Sequence, residues 1–352
     1  MRKVISGLLI VVLLASLVVG ISVNLSIASE QKSQPHKEFK IQFLAGRSDS
    51  AEFALTHALS GLINKHSPWL RATVLETPGI ASNYEMVVKR PEMKTNSIIC
   101  ASVSDAPWLL KTQEEGGLPW GPYTGVRFVA RLNETTHTFL TLDKNIKTIH
   151  DLKGKKLADG REVSNRWREN EIIFKEAGVR DTLRVTHGGT GVGMTALRDG
   201  LVDVAVALGI GPVEPTTWNP LADVQELMAT KMVYFVSYDE AVFKRAMQKY
   251  GFGTSPVKYP PRVLGPTQTE PVVIKYDPLS LASDKTMRDD VVYELLRIFD
   301  THLRQLDEFS LTAKWIKREF LGTSGYEKED MYHPGAVKYY KEKGIPIRVN
   351  PW

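Results

Sequence analysis

Apolar residues recur along the chain with two spacings, one typical of strands and the other of helices. Residues 39–45 (FKIQFLA) alternate polar and bulky apolar side chains, which predicts a strand. Leu55, Leu59, Leu62 and Ile63 then fall on one face of a helix. Further strands are predicted at 72–75, 97–103, 127–132, 138–142, 183–186, 202–208 and 232–237, and further helices at 165–177, 192–198 and 292–306. Strands that alternate with helices predict an α/β fold in two lobes, with helices on both faces of mostly parallel sheets.

Composition narrows the class of protein. The 352 residues are 43% hydrophobic and 24% charged, close to the globular averages of about 45–50% and about 25%, which excludes a disordered, fibrous or polytopic membrane protein. The single cysteine, Cys100, excludes an internal disulfide framework and a cysteine-rich zinc site. The formal charge of +5 includes Arg2 and Lys3. The remaining bias is too weak to indicate a nucleic-acid partner.

The N-terminal segment has the pattern of an export signal. Arg2 and Lys3 precede an apolar run over residues 4–23, and Ser26 and Ala28 are small residues at the −3 and −1 positions of a cleavage site. We therefore predict a signal peptide at 1–28, a polar linker at 29–38 and a periplasmic or extracytoplasmic location. The apolar run is long enough that an uncleaved membrane anchor is the alternative.

The sequence comes close to some catalytic and cofactor-binding motifs but does not complete them. Residues 187–195 (HGGTGVGMT) have the glycine spacing of a phosphate loop, but Met194 stands where the lysine is required. We interpret this segment as a strand-to-helix turn. Metalloprotease, C-x-x-C and G-x-S-x-G patterns do not occur in the sequence. Cys100 lies in an apolar strand, where a cysteine usually acts as a small hydrophobe. The sequence therefore predicts no enzyme, no cofactor and no metal.

Small and polar residues recur where predicted strands meet helices. They lie at 46–50 (GRSDS), 76–79 (ETPG), 104–105 and 164–166. Ligands of open α/β sheets bind at the carboxyl ends of strands, where helix N-termini favour anions such as carboxylates. Helix capping is the alternative: Asp49 with Glu52 is close to a capping box, and Ser164 or Asn165 is a suitable N-cap.

Five segments carry a resemblance to a known family. They are 59–66 (LSGLINKH), 71–77 (RATVLET), 149–156 (IHDLKGKK), 196–203 (ALRDGLVD) and 333–344 (HPGAVKYYKEKG). In these the chain resembles the TAXI branch of the extracytoplasmic solute receptors that serve TRAP (tripartite ATP-independent periplasmic) transporters. The resemblance begins near Phe39 and runs to the C-terminus. The last segment is the most specific of the five.

The resemblance implies a type II periplasmic-binding-protein architecture with a ligand cleft between two lobes. Residues 39–140 would begin lobe one, 141–272 would form lobe two, and 273–352 would return to lobe one. The family implies that a small organic acid or amino acid is captured in the cleft and delivered to TRAP permease subunits in the membrane. An extracytoplasmic ligand sensor on the same fold and an enzyme that uses the cleft are the alternatives.

The chain departs from the family pattern at two turns of the cleft. Asp49, Ser50 and Ala51 stand where two glycines and a threonine usually open the first helix, and Glu52 and Phe53 replace the two tyrosines that follow. Of the G-S-G-T-R turn of lobe two only the serine, Ser164, is kept, since Val163, Asn165, Arg166 and Trp167 replace the other residues. Lost glycines prevent close approach of the backbone, whereas Arg47 and Arg166 can bind a carboxylate in bidentate geometry. Asp49 and Glu52 can equally meet an ammonium group, or all of these charges face solvent. The predicted ligand contacts are Gly46, Arg47, Ser48, Asp49, Ser50, Glu52, Glu76, Thr77, Asn83, Ser104, Asp105, Ser164, Asn165, Arg166, Gly209 and Gly211.

Overall fold

Two long strands, β4 (Val126–Thr141) and β11 (Val272–Asp284), run antiparallel through the middle of the sheet. The computed structural model describes residues 37–46, 48, 50–115, 117–160, 162, 164–251, 253–310, 312–324 and 329–348. The region Glu38–Trp352 forms one compact unit. The predicted signal peptide, and all but the last two residues of the predicted linker, lie outside the described residues.

Within the described residues, nine further strands and nine α-helices accompany these two strands. The strands are β1 (Phe39–Gly46), β2 (Leu70–Glu76), β3 (Ser97–Ser102), β5 (Lys156–Asp159), β6 (Arg184–His187), β7 (Val204–Gly211), β8 (Asn219–Pro220), β9 (Tyr234–Val236) and β10 (Ser255–Tyr259). The helices are α1 (Ala51–His66), α2 (Ile80–Lys89), α3 (Ala106–Leu109), α4 (Asn165–Glu176), α5 (Thr190–Arg198), α6 (Ala222–Thr230), α7 (Glu240–Tyr250), α8 (Asp289–Thr301) and α9 (Pro334–Lys343).

In the described part of the chain, the strands form two parallel groups that are joined in the sheet through β4 and β11. The order is β2-β1-β3-β11-β4-β7-β5-β6, with β10 beside β11, β8 beside β7 and β9 beside β4. Strands β2, β1 and β3 are mutually parallel, and so are β7, β5 and β6. The C-terminal part of β11 pairs antiparallel with β3, just as the C-terminal part of β4 pairs antiparallel with β7. The predicted two-lobed α/β fold class is confirmed.

Each half of the molecule has apolar cores on both faces of its strands. We call the part around β1–β3 the first half and the part around β5–β7 the second half. Adjacent residues Phe43 and Leu44 of β1 belong to different core clusters, because successive side chains of a strand point to opposite faces. Val204 and Ala205 of β7 divide in the same way. The domain boundaries at 140/141 and 272/273 fall at ends of β4 and β11, and that division stays a prediction.

The structure corrects the extent of two predicted strands and one predicted helix. The strands predicted at 127–132 and 138–142 are one strand, β4, because the polar residues between them continue to pair with β11. The helix predicted over 292–306 ends at Thr301, and a 3-10 turn (Leu303–Glu308) follows. Leu303 and Leu306 remain buried in the first-half core. A spacing of three residues suits a 3-10 turn as well as an α-helix, so the apolar pattern alone did not show the change.

The segment 333–344 of the family resemblance forms a helix with both ends fixed. Its first residue, His333, accepts a hydrogen bond from the N–H of Gly335, and Pro334 occupies the first turn of α9. Gly344 ends the helix in the left-handed conformation, with φ of 63°. A Cβ on Gly335 would lie 2.2 Å from the carbonyl oxygen of Asp289. These residues therefore have a structural role in joining α9 to the start of α8.

Candidate functional site

The centre of the molecule holds buried charged residues on β11, where the two halves meet. Lys275 and Asp277 are two residues apart and so lie on the same face of the strand. The ammonium group of Lys275 donates to Glu169 Oε2 at 3.1 Å, to Asn170 Oδ1 at 3.1 Å and to the carbonyl oxygen of Arg166 at 3.3 Å. All three acceptors belong to α4, so Lys275 fastens the crossing strand to the second half.

Asp277 makes the matching contact to the first half. Its carboxylate accepts from the hydroxyl of Ser102 at 2.6 Å and from the N–H of Ser104 at 3.0 Å, at the carboxyl end of β3. Burial raises the pKa of Asp277, while the bonds from Ser102 and Ser104 act in the opposite direction. One strand therefore holds both halves through two charged side chains of opposite sign.

Helix α4 supplies the second-half wall of this site. The side chain of Ser164 caps the helix by accepting from the N–H of Trp167. Arg166, Glu169 and Asn170 share one face of the helix, because they are three and four residues apart. Asn170 donates to Asp159 at 2.7 Å, at the end of β5. Arg166 lies 3.9 Å from the same carboxylate.

Two further contacts join α4 directly to the first half. The guanidinium of Arg168 lies 5.4 Å from the centre of the Trp108 ring, in a cation–π arrangement. Ile172 packs against the first-half core that contains Leu44 and Tyr84. The two halves are thus in contact over the polar cluster, and its charged groups are removed from water.

Acidic groups outnumber basic groups in this cluster. We use the name central cluster for Asp105, Asp159, Arg166, Glu169, Lys275 and Asp277, all of which are buried except for a small part of Arg166. Burial, reinforced by Asp277 and Glu169, raises the pKa of Asp105 well above its usual range. Burial raises the pKa of Glu169 to about 7, although Lys275 opposes the shift. Each additional negative charge here makes the next less favourable.

His137 faces the central cluster from β4. Burial, with help from Lys275 and Arg166, holds the pKa of His137 well below its usual range, so the ring is neutral. Nε2 lies 3.9 Å from Asp277 Oδ2, beyond hydrogen-bond distance. Neither ring nitrogen has a hydrogen-bond partner among the described residues, and Glu169 Oε1 also has none there. Buried polar atoms of this kind are normally satisfied, which makes this position a candidate for binding another group.

The raised pKa of Glu169 predicts a pH dependence of stability. As pH rises from about 4.5 to about 7, the carboxyl ionises in the unfolded chain before it ionises in the folded one, so the free energy of unfolding falls. At about 1.36 kcal/mol per pKa unit, the loss is about 3 kcal/mol. Denaturant unfolding of the wild type and Glu169→Gln from pH 4.5 to 8 measures the difference. Glu171→Gln, on the same helix, is the control and should follow the wild-type curve. If the difference in the free energy of unfolding between the wild type and Glu169→Gln does not change with pH, the raised pKa of Glu169 is contradicted.

The predicted contacts of the first half divide into two groups. In the β1–α1 turn, Ser48 donates through its N–H and its hydroxyl to Glu76 at 3.0 and 2.7 Å, and Ser50 is the N-cap of α1. The cap is thus Ser50 rather than Asp49. Glu52 lies half-buried in the first turn of α1, and Gly46 ends β1 with φ of 103°. Arg47 and Asp49 lie outside the described residues.

Thr77 and Asn83 hold strand ends together. Thr77 donates to Asn83 Oδ1 at 2.5 Å, and the amide of Asn83 donates to the carbonyl oxygens of Leu44 and Cys100 at 2.9 and 3.1 Å. Cys100 is buried in β3, and burial raises the pKa of its thiol, as expected for a small hydrophobe. Asn83 therefore fixes the separation of β1 and β3 at their carboxyl ends. Ligand contact at Thr77 and Asn83 stays a prediction.

The two predicted glycines of β7 leave space for aromatic side chains. A Cβ on Gly209 would lie 2.2 Å from Trp218 Nε1, and a Cβ on Gly211 would lie 2.7 Å from the hydroxyl of Tyr259. The indole N–H of Trp218 donates to Thr136 Oγ1 on β4 at 2.8 Å. These glycines thus allow aromatic residues of the second half to pack against its sheet, and their contact with a ligand stays a prediction.

The structure brings only part of the predicted set to the central cluster. Ser104, Asp105, Ser164, Asn165 and Arg166 lie in or beside it. The sequence analysis missed four members of the cluster, Asp159, Glu169, Lys275 and Asp277, and two residues that lie against it, His137 and Asn170. A signal was present in β11, where a lysine and an aspartate interrupt an apolar run (VVIKYDPLSLASD). Isolated charges in an otherwise buried strand indicate a paired or functional site.

Among the described residues, no group of three or more His, Cys, Asp or Glu side chains has an arrangement that could hold a metal ion. The helices in the described part of the chain are too short or too polar to cross a membrane.

Comparison with known proteins gives one family match and several distant structural similarities. A TctC solute binding protein from Polaromonas matches with a TM-score of 0.46 and 13% identity, over 82% of this chain and 90% of that one. A putative sulfonate ABC transporter periplasmic protein from Methylobacillus flagellatus matches with 0.45 and 13%, over 88% of each chain. A putative L-cystine ABC transporter from Listeria monocytogenes matches with 0.43 and 14%, over 79% and 98%. The model of the NMT1-like family matches residues 45–344, and the chain belongs to that family.

Proposed function

We propose that this protein is an extracytoplasmic solute receptor without catalytic activity. It captures a small carboxylate-bearing solute, an organic acid or an amino acid, between its halves and delivers it to a membrane permease. The observation that carries the proposal is the central cluster, in which Lys275 and Asp277 of one strand hold opposite halves around unpaired buried polar atoms. Membership of the NMT1-like family is consistent with it.

Binding is proposed to be coupled to closure of the two halves. Among the described strands, β4 and β11 connect the parallel groups through the sheet, so a rotation about these strands can separate α4 from the first half. A ligand that contacts Arg166 on α4 and Ser104 at the end of β3 touches both halves only when they are close together. Such contacts stabilise the closed arrangement relative to the open one.

The permease is proposed to be of the TRAP type. The support is the resemblance of five sequence segments to the TAXI branch of receptors, together with the export signal that the first 28 residues predict. In that arrangement the ion gradient drives transport at the permease, and the receptor supplies affinity and specificity.

Arg166 is the proposed partner of the ligand carboxylate. Its guanidinium is largely buried, and Nε has no hydrogen-bond partner among the described residues. Arg166→Ala should weaken binding of a carboxylate solute at least tenfold, since a hydrogen bond to a charged group contributes about 1.5–3 kcal/mol. Isothermal titration calorimetry with organic acids and amino acids measures this effect.

Arg245→Ala is the matched control, because Arg245 is exposed on α7 and pairs with Glu176 at the surface. Its affinity should equal that of the wild type. Equal affinity in Arg166→Ala would remove Arg166 from the site, and an absence of binding to every acid and amino acid would contradict the proposed function itself.

A further inference from the structure

The charge of the central cluster restricts the ligand beyond the presence of a carboxylate. Among the described residues, four carboxyl groups, those of Asp105, Asp159, Glu169 and Asp277, lie in the cluster with two basic groups, Arg166 and Lys275. Lys275 is fully buried against Glu169, and Arg166 lies beside Asp159. Glu169 and Asp277 are buried too, so solvent ions cannot balance the excess negative charge. Within the part of the chain that the structure describes, bound protons or a bound cation are the means of balancing this charge.

Within the described residues, the unpaired atoms at the cluster include two hydrogen-bond acceptors, Glu169 Oε1 and one ring nitrogen of His137, together with two donors, Nε of Arg166 and the other ring nitrogen of His137. Glu169 Oε1 has no partner among the described residues, and its other oxygen accepts from Lys275 and from Thr254. His137 is 4% exposed, lies 3.9 Å from Asp277, and has no partner at either ring nitrogen within the described residues. A neutral imidazole presents one acceptor nitrogen. Protons on the carboxyls would reduce the charge but would leave this imidazole acceptor unsatisfied.

We infer that the ligand carries an ammonium group, so that it is a zwitterion or a cation, and that dicarboxylates without an amine are poor ligands. This inference rests on the proposed function and narrows its substrate class. The ammonium group donates to Glu169 and His137, while Arg166 binds the carboxylate on the side of Asp159. An ammonium has three N–H donors and no acceptor, which matches the acceptors that the cluster leaves free. A second carboxylate would add to the excess negative charge.

Isothermal titration calorimetry on the secreted protein tests the inference by comparing amine-bearing compounds with nitrogen-free acids of the same carbon skeleton. The panel contains the twenty amino acids, ornithine and 1,4-diaminobutane, together with acids of the same carbon skeletons that lack nitrogen, such as propanoate, succinate and glutarate. We expect at least one amine-bearing compound to bind ten times more tightly than its nitrogen-free partner. If the nitrogen-free acids bind as tightly as their amine partners, the inference fails and the proposed function stands. If no compound binds, the proposed function fails and the inference falls with it.

Variants of Glu169 identify the side chain that holds the ammonium group. Glu169→Gln should weaken binding of the preferred amine at least tenfold, while Glu169→Asp, which keeps the carboxylate, should retain most of the preference for the amine over its nitrogen-free partner. Glu171→Gln on the same helix should bind like the wild type. Equal loss in the Gln and Asp variants would assign Glu169 a structural role and overturn its place in the inference. The wild-type panel decides the ligand class even where a variant does not fold.

Discussion

Lys275→Met is expected to lower the free energy of unfolding by about 3–5 kcal/mol, because it removes one partner of a fully buried ion pair. Lys275 and Glu169 have no measurable exposure. After the substitution, the carboxylate of Glu169 keeps its burial but loses the ammonium that opposes its raised pKa. Denaturant unfolding at pH 8 measures the effect. At pH 5 the loss should be smaller, since Glu169 can then be protonated.

The double variant Lys275→Met/Glu169→Leu distinguishes the effect of an unpaired buried charge from a general disruption of core packing. Replacing both partners of a buried pair with apolar residues is often neutral or stabilising, so the second change should recover most of the stability lost in the single variant. Lys258→Met is the control, because Lys258 is exposed on β10 and its contact with Glu240 lies at the surface. If Lys275→Met is as stable as the wild type, the proposed role of Lys275 in holding α4 against β11 is contradicted.

Gly209→Ala is expected to destabilise the protein by about 2–4 kcal/mol. The new methyl group would lie 2.2 Å from Trp218 Nε1, so the indole must move and lose its bond to Thr136 on β4. Overpacking of a core costs about 1–3 kcal/mol and a lost hydrogen bond about 1 kcal/mol. Thermal and denaturant unfolding measure the change in stability. The near-ultraviolet circular dichroism of the protein should also change, because Trp218 moves.

Gly61→Ala makes the same chemical change at another glycine, and it is expected to raise the stability instead of lowering it. Gly61 lies in the interior of α1, and no atom is within 4 Å of the position of its added Cβ. Alanine is more favourable than glycine in a helix interior by up to about 1 kcal/mol, so this variant should be slightly more stable than the wild type. If Gly209→Ala behaves like Gly61→Ala, Trp218 does not pack against β7 as described.

The α/β class and most elements could be predicted because local patterns determine them. Alternation in residues 39–45 identified β1, and the glycine after residue 177 identified the end of α4, where Gly178 has φ of 70°. The continuity of β4 could not be predicted in this way. Its middle residues are polar and look like a loop, but Arg131 and Glu134 form a buried ion pair at 2.7 Å. That pairing depends on strands distant in the sequence.

The candidate site was predictable only on the side where polar residues follow strands. Ser104, Asp105 and Arg166 lie at such positions; Asp105 and Arg166 belong to the central cluster, and the N–H of Ser104 donates to Asp277 in it. Lys275 and Asp277 lie inside a strand, and their partners are more than 100 residues away in the sequence. Asp159 and Glu169 were not singled out, because an acidic residue in a helix or at a strand end is usually solvated. Only the packing of α4 against β11 shows that these charges are buried together.

Native mass spectrometry of the secreted protein, purified without heating or denaturation, tests the central claim most directly. We predict one small molecule of mass consistent with an amino acid or organic acid bound per chain of the wild type, released on denaturation and lost in Arg166→Ala. Its identification would also give the substrate class. A wild-type protein that carries no such molecule, and that retains none of the acids or amino acids of the panel at saturating concentration, would contradict the account of a solute receptor that binds at the central cluster.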